Sequence, residues 1–202
     1  MRNLILLVVL LMSITVTSQT SIGIKAGINL SNLAVNEDQI DESKNKVDYT
    51  IGIVNHNQMG LLFVQSELLY NRKGAEYSAG GLTVDANLNY LQVPISVGIS
   101  LLGSTINLYG GGYAAYLLNA DYEYKNDADE VVATTNNKDA FNKLDFGVHT
   151  GLFVSISKIN LDLRFSRGIR DVEGEDIITN LQTFTRNEAK NFNVELTASL
   201  FF

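Results

Sequence analysis

The last twelve residues, 191–202, read NFNVELTASLFF and alternate between apolar and polar side chains. The apolar positions are Phe192, Val194, Leu196, Ala198, Leu200 and Phe202. A repeat of two residues is typical of a β-strand with one apolar and one polar face. The chain also ends on an aromatic residue. We interpret this stretch as the closing strand of an outer-membrane β-barrel, with its apolar face toward lipid.

The N-terminal residues have the order of an export signal. Residues 1–3 give a short positive start, residues 4–12 are an unbroken apolar run, and residues 13–19 become polar. Nine apolar residues cannot span a bilayer as a helix, which needs about 20. This order predicts a signal peptide over residues 1–18, cleaved after Ser18, and a single barrel domain over residues 19–202.

Composition narrows the class of protein further. Without Arg2 the chain has 14 basic and 22 acidic residues, a net charge of 14 − 22 = −8. An acidic chain of this kind is a poor nucleic-acid binder, so we expect no nucleic-acid partner. After residue 19 no apolar run approaches 20 residues. Membrane insertion therefore requires a closed barrel, because lipid cannot satisfy the free edge of an open sheet.

Seven further alternating segments precede the last one. They lie near residues 21–33, 49–54, 61–73, 88–101, 105–121, 142–157 and 159–166. Long connections at 36–48, 74–85, 122–139 and 171–190 alternate with short ones. The pattern predicts an all-β fold, an eight-stranded antiparallel up-and-down transmembrane β-barrel with short periplasmic turns and long external loops. Pro94 lies inside the fourth segment and predicts a local irregularity.

The polar face of these strands carries six ionisable residues. They are Lys25, Glu67, Asp145, Asp162, Arg164 and Glu195. The interior of an eight-stranded barrel is just wide enough for side chains to fill, so we expect these charges to pair and plug the lumen. Lys25 and Arg164 are each expected within ion-pair distance of a carboxylate. A selectivity filter or an ion path is the alternative function for this set.

His149 is the candidate for an enzymatic site. It shares a strand face with Asp145, and a lipid-modifying barrel enzyme would need a nucleophile and an orienting acid beside it. No Ser occupies the next position on that face, and His56 falls in the predicted periplasmic turn 55–58. We therefore predict no catalytic site, no cofactor and no metal centre.

Four strand segments carry a family resemblance. The texts GIKAGINLSNL (23–33), QSELLYNRKGAEY (65–77), LNYLQVPISVGI (88–99) and GGGYAAYLLNA (110–120) resemble the strands of the PorT-like outer membrane protein β-barrel family. The resemblance implies a barrel in the outer membrane. It also implies that Phe202 is the terminal aromatic that the barrel-insertion machinery reads, an assembly signal.

The functional expectation is an integral outer-membrane protein with a structural, adhesive or envelope-assembly role and a charge-plugged lumen. Its expected partners are outer-membrane lipid, lipopolysaccharide, the insertion machinery and an envelope or surface protein. Three alternatives stay open: a small-solute pore, a lipid-modifying enzyme around His149, and a soluble lipocalin-like binding barrel. The soluble barrel requires the two strand faces to be inverted.

Overall fold

The regular structure of the described chain consists of β-strands. The computed structural model describes residues 19–34, 42–44, 46–79, 82–125, 131–136, 142–169 and 190–202. The strands are β1 Gln19–Ala34, β2 Glu42–Lys44, β3 Lys46–Met59, β4 Leu62–Ala79, β5 Leu82–Leu101, β6 Ile106–Lys125, β7 Val131–Asn136, β8 Leu144–Ile156, β9 Ile159–Gly168 and β10 Lys190–Phe201. The predicted signal peptide, residues 1–18, lies outside the described residues. Among those residues, no helix is long and apolar enough to cross a membrane, a finding that does not bear on β-barrels.

Eight of these strands close into an antiparallel barrel. Around the wall the order is β1, β3, β4, β5, β6, β8, β9 and β10. β10 then pairs with β1 over a ladder from Gly23 opposite Phe201 to Ala34 opposite Lys190. The predicted eight-stranded up-and-down barrel is confirmed.

The wall has a polar inner face and an apolar outer face. On β10, Leu196 is 56% exposed whereas the neighbouring Glu195 is 1% exposed. The same alternation runs through β8 and β9. A soluble barrel would need the apolar side chains inside and the polar ones outside. The large apolar side chains point outward instead, so the hypothesis of a soluble barrel is wrong.

One end of the barrel, here called the short-turn end, is closed by tight connections. Residues 60–61, 102–105 and 157–158 link β3 to β4, β5 to β6 and β8 to β9. β3 continues to Met59, so the prediction of a turn at residues 55–58 is wrong. His56 consequently lies on the strand, on its inward-facing row, rather than on a periplasmic turn.

Pro94 interrupts the ladder between β4 and β5, as predicted. Pairing is present at Ser66 opposite Ile95 and at Leu69 opposite Gln92, and it is missing between them without a change of register. Proline has no N–H to donate, so the gap falls where that donor is missing. A register shift also occurs on the β6 side, between Asn89 and Tyr90, which the sequence did not predict.

At the opposite end, here called the long-connection end, three strands run further than expected. β4 and β5 pair up to Ala79 opposite Leu82, so the predicted long loop at 74–85 is wrong. β6 extends to Lys125 and pairs with β7, which occupies part of the predicted loop 122–139. β2, which lies within the predicted loop 36–48, pairs with β4. Small and polar residues favour loops locally, but pairing with a neighbouring strand overrides that preference.

Candidate functional site: a closed, charged lumen

Four charged side chains from three strands meet in the middle of the lumen. Lys25 Nζ lies 2.5 Å from Asp162 Oδ2 and 3.2 Å from Glu67 Oε1. Arg164 holds Glu67 with two hydrogen bonds, from Nη2 to Oε1 at 2.5 Å and from Nη1 to Oε2 at 3.1 Å. All four residues are at most 3% exposed. Alternation directs these side chains inward, and the narrow barrel brings them within contact of each other.

Neutral donors complete this central cluster. The Tyr109 hydroxyl donates to Asp162 Oδ1 at 2.6 Å and accepts from Arg164 Nε at 3.0 Å. Gln65 Nε2 donates to Glu67 Oε1 at 2.5 Å. Breaking one partner of a buried ion pair costs about 3–5 kcal/mol, because the remaining charge loses its counter-ion away from water. The cluster therefore depends on its members being present together.

Glu195 lies at the edge of the central cluster. Its Oε2 is 3.7 Å from Arg164 Nη1, beyond hydrogen-bonding distance. Its Oε1 instead accepts from Asn71 Nδ2 at 3.2 Å and from Asn193 Nδ2 at 2.8 Å. Glu195 is thus held mainly by carboxamides.

Asp145 forms a separate pair nearer the long-connection end. The Lys73 ammonium is 3.7 Å from Asp145 Oδ2 and lies over the rings of Tyr113 and Tyr90, 4.8 Å and 5.4 Å from their centroids. The Tyr113 hydroxyl donates to Asp145 Oδ2 at 3.3 Å. Five of the six residues singled out in the sequence therefore come together, and Asp145 does not join them. Lys73 was missed, although it shares the inward parity of Glu67.

On the inner face of the wall, the His149 side chain contacts Ser96 and not Asp145. Ser96 Oγ lies 2.7 Å from His149 Nε2, and both side chains are buried. Gly111 stands between their strands, opposite both residues in the ladder. A Cβ there would lie 2.9 Å from His149 Nε2, so the absence of a side chain opens the contact. Among the described residues no group accepts from or donates to His149 Nδ1, so an orienting acid is missing from the part that the structure describes.

Aromatic rings fill the short-turn end of the lumen. Phe63 and Phe153 are buried, with ring centroids 5.4 Å apart. The His56 ring lies 4.8 Å from that of Phe63, and its nitrogens face Gln65 Oε1 at 3.2 Å and Gln58 Oε1 at 3.0 Å. Aromatic rings, the central charges and the Lys73 pair thus form three successive layers of side chains. Within the described chain, no group of three or more His, Cys, Asp or Glu side chains could hold a metal.

Comparison with known proteins agrees with this architecture. The family model described as "outer membrane protein beta-barrel domain" matches residues 17–174. The chain belongs to this family. Membership places the protein in the outer membrane, so the apolar outer face contacts lipid. Among curated proteins, none matches the sequence.

Two solved structures have a similar fold. One is Ail, the attachment invasion locus protein of Yersinia pestis, which was solved in complex with the heparin analogue sucrose octasulfate. Its sequence is 14% identical to this one, the match covers 91% of this chain and 99% of that chain, and the TM-score is 0.51. The other is Neisserial surface protein A, which is 11% identical over 91% of this chain and 99% of that chain, with a TM-score of 0.53. Identities this low establish the barrel fold alone.

The Gly111 contact gives a matched pair of substitutions. Gly111→Ala places a Cβ against the backbone carbonyl of Ile95 and the ring of His149, whereas Gly112→Ala meets only the Gly147 carbonyl oxygen at 3.4 Å on the outer face. We expect Gly111→Ala to lower the free energy of unfolding by about 1–3 kcal/mol, because the overpacked wall must shift. Urea unfolding in lipid vesicles measures both variants. Equal stabilities would show that the wall accommodates a Cβ at position 111 and would contradict the expected overpacking.

Proposed function

We propose that this outer-membrane barrel is a non-conducting, adhesive surface protein that presents its long-connection end to partners outside the cell. The supporting observation is the length of β4, β5 and β6, which have 18, 20 and 20 residues. A tilted strand crosses the hydrocarbon core in about 9–11 residues. The excess of about eight to ten residues, at roughly 3.3 Å each, lets these strands continue beyond the hydrocarbon core for about 25–33 Å along the strand direction.

The excess falls at the long-connection end because the tight turns fix the other end. There, β2 and β7 add to the same sheet, giving the backbone order β2, β4, β5, β6, β7. Backbone hydrogen bonds continuous with the barrel wall make this extension a rigid support. A rigid extension of the sheet is better suited to contact with a macromolecule than to the passage of a solute.

The charge of the external connections supports a choice of partner. Residues 35–45, 126–143 and 170–189 contain 13 acidic and 5 basic residues, a net charge of 5 − 13 = −8. The whole chain has a net charge of −7, so these connections carry its entire negative excess. Opposite charge favours encounter, so the proposed surface partner is a cationic protein patch. Ail was solved with a polysulfated ligand; the acidic connections make a ligand of that chemistry unsuitable for this chain. Lipopolysaccharide is a proposed partner through bridging divalent ions.

The layered lumen supports the non-conducting part of the proposal against the pore alternative. Phe63, Arg164 and Lys73 belong to three different layers, and each is at most 2% exposed. A solute would have to displace buried ion pairs in the central layer, at a cost of several kcal/mol. The narrower PorT-like family resemblance is also part of the proposal, without any assignment of that family's role.

The enzyme alternative is disfavoured by the surroundings of His149. Ser96 and His149 have the geometry of a nucleophile and base, but catalysis of this type also needs a group to orient the base. Asp145, the acid on the same strand, is engaged with Tyr113 and Lys73. We therefore retain a non-enzymatic role.

Conductance tests the closed lumen. Reconstituted into planar bilayers, the protein is expected to give no stepwise current at either polarity. Tyr109→Ala is also expected to be silent, because the aromatic layer and the Lys73 layer remain. A general porin serves as positive control. Discrete conductance steps from the unmodified protein would favour the pore.

Adhesion tests the surface role. We would replace residues 76–85 with Asn-Gly, which shortens the β4–β5 hairpin by four residue pairs and keeps a favoured two-residue turn. Cells of a non-adherent strain that express the unmodified protein should bind an immobilised cationic protein at least about tenfold better than cells carrying the shortened form. Thr83→Ser in the full-length hairpin is the matched control. If the unmodified protein confers no binding, or the shortened form binds equally, the adhesive role is wrong.

The assembly role of Phe202 gives a test that is independent of adhesion. Export through the predicted signal peptide, residues 1–18, brings the chain to the insertion machinery. Phe202 is 75% exposed at the short-turn end, and its backbone N–H donates to the Ile22 carbonyl oxygen at 3.0 Å. Deleting Phe202 is expected to reduce the amount in the outer membrane severalfold while changing the stability of the refolded barrel little. Normal outer-membrane levels of the deletion would contradict an assembly signal, and Phe202→Tyr should assemble normally.

A further inference from the structure

A group of carboxamides surrounds Glu195 in the half of the lumen nearer the long-connection end. Asn29 lies directly opposite Glu195 in the β1–β10 ladder, and Asn193 precedes Glu195 by two residues on the same face. Asn71 links them, since it accepts from Asn29 Nδ2 at 2.8 Å and donates to Glu195 Oε1 at 3.2 Å. All four side chains are at most 1% exposed.

Three oxygen atoms of this group have no hydrogen-bond donor in the described part of the chain. They are Asn29 Oδ1, Asn193 Oδ1 and Glu195 Oε2. A buried acceptor without a donor costs about 1–3 kcal/mol, so several together indicate that another species satisfies them.

The orientation of both carboxamides is determined by their neighbours. Asn29 Nδ2 donates to Asn71 Oδ1 and, at 2.9 Å, to the Arg72 carbonyl oxygen. Asn193 Nδ2 donates to Glu195 Oε1 at 2.8 Å. Rotating either amide by 180° would set oxygen against oxygen, so these hydrogen bonds fix which atom of each amide is the free oxygen.

Among the buried charged side chains that the structure describes, carboxylates outnumber cations away from the rim. Near the rim, Arg72 Nε lies 3.4 Å from Asp48 Oδ1 and offsets that carboxylate. The other buried charged residues of the described chain are Lys25, Lys73, Arg164, Glu67, Asp145, Asp162 and Glu195. Three cations face four carboxylates, so the sum is 3 − 4 = −1. Glu67 and Asp162 each contact Lys25, whereas within the described part of the chain the cation near Glu195 is Arg164, at 3.7 Å.

We infer that a monovalent metal cation, with sodium as the probe, binds inside the lumen against Asn29 Oδ1, Asn193 Oδ1 and Glu195 Oε2. Carboxylate, carboxamide and water oxygens are the ligands that hard cations prefer. A single water donates only two hydrogens and cannot serve three acceptors. One positive charge also neutralises the Glu195 carboxylate, which is held mainly by carboxamides, whereas a divalent ion would leave a buried excess of positive charge there. The bound ion would link β1 to β10, the two strands whose pairing closes the barrel.

Thermal unfolding of the full-length protein in zwitterionic micelles tests the site, with heat-modifiable gel migration as a second readout. Sodium chloride should raise the unfolding midpoint by about 2–4 °C relative to choline chloride at the same ionic strength, with saturation as sodium increases. Calcium chloride at the same ionic strength should give no larger shift. A larger shift with calcium would overturn the assignment to a monovalent ion.

Three variants locate the effect. Glu195→Gln keeps the side-chain shape and removes the charged ligand, so the difference between sodium and choline should disappear. Asn193→Ser shortens one ligand and should require about tenfold more sodium for half of the shift; it serves as the test if Glu195→Gln does not fold. Ser199→Ala, at an inward position on the same strand outside the group, should keep the full shift. Equal midpoints in sodium and choline, a shift that persists in both ligand variants, or a response to pH but not to sodium would each overturn the proposal.

Discussion

The ladder between β10 and β1 is the interaction on which the rest of the structure depends. In lipid an unpaired backbone N–H or C=O has no partner, so a sheet with a free edge is not stable there. The pairing of residues 190–201 with residues 23–34 removes the last two edges of the wall. Closure joins the first described strand to the last, so neither β1 nor β10 can be removed without opening the wall. It also fixes which side chains share the lumen.

Because the barrel is closed, the alternation of polar and apolar residues also determines which charged side chains must pair with each other. Every second residue points into a narrow interior, where Lys25 and Arg164 cannot reach bulk water and must find carboxylates. Glu67 contacts both cations, Arg164 from the opposite side of the barrel and Lys25 from two strands away. The same packing that satisfies these charges also fills the channel. The extension of β4, β5 and β6 at the long-connection end is therefore the part of the protein to which we assign the proposed surface contacts.

The strand parity was predictable because it depends only on a repeat of two residues, and it placed Glu195 and Arg164 inside correctly. Contacts across the lumen were not predictable in the same way. The Ser96–His149 pair and the Tyr109–Asp162 hydrogen bond join residues 53 positions apart, and they depend on the relative register of strands around the barrel. The hairpin at 74–85 was missed because its small and polar residues resemble a loop, while cross-strand pairing decides its structure.

A charged interior is a costly way to fill a barrel, since a buried ion pair is often no more stabilising than apolar side chains of the same volume. The alternation itself offers a reason to retain it. β5 is 20 residues long and already apolar on its outer face. If its inward residues, among them Gln92, Ser96 and Ser100, were also apolar, the segment would have the length and hydropathy of a transmembrane helix. Polar inward residues prevent that outcome in β5. Once they are inside, the narrow lumen requires them to be paired, and the charge network of Glu67 and Arg164 follows from the same sequence pattern that allows the chain to cross the membrane as strands.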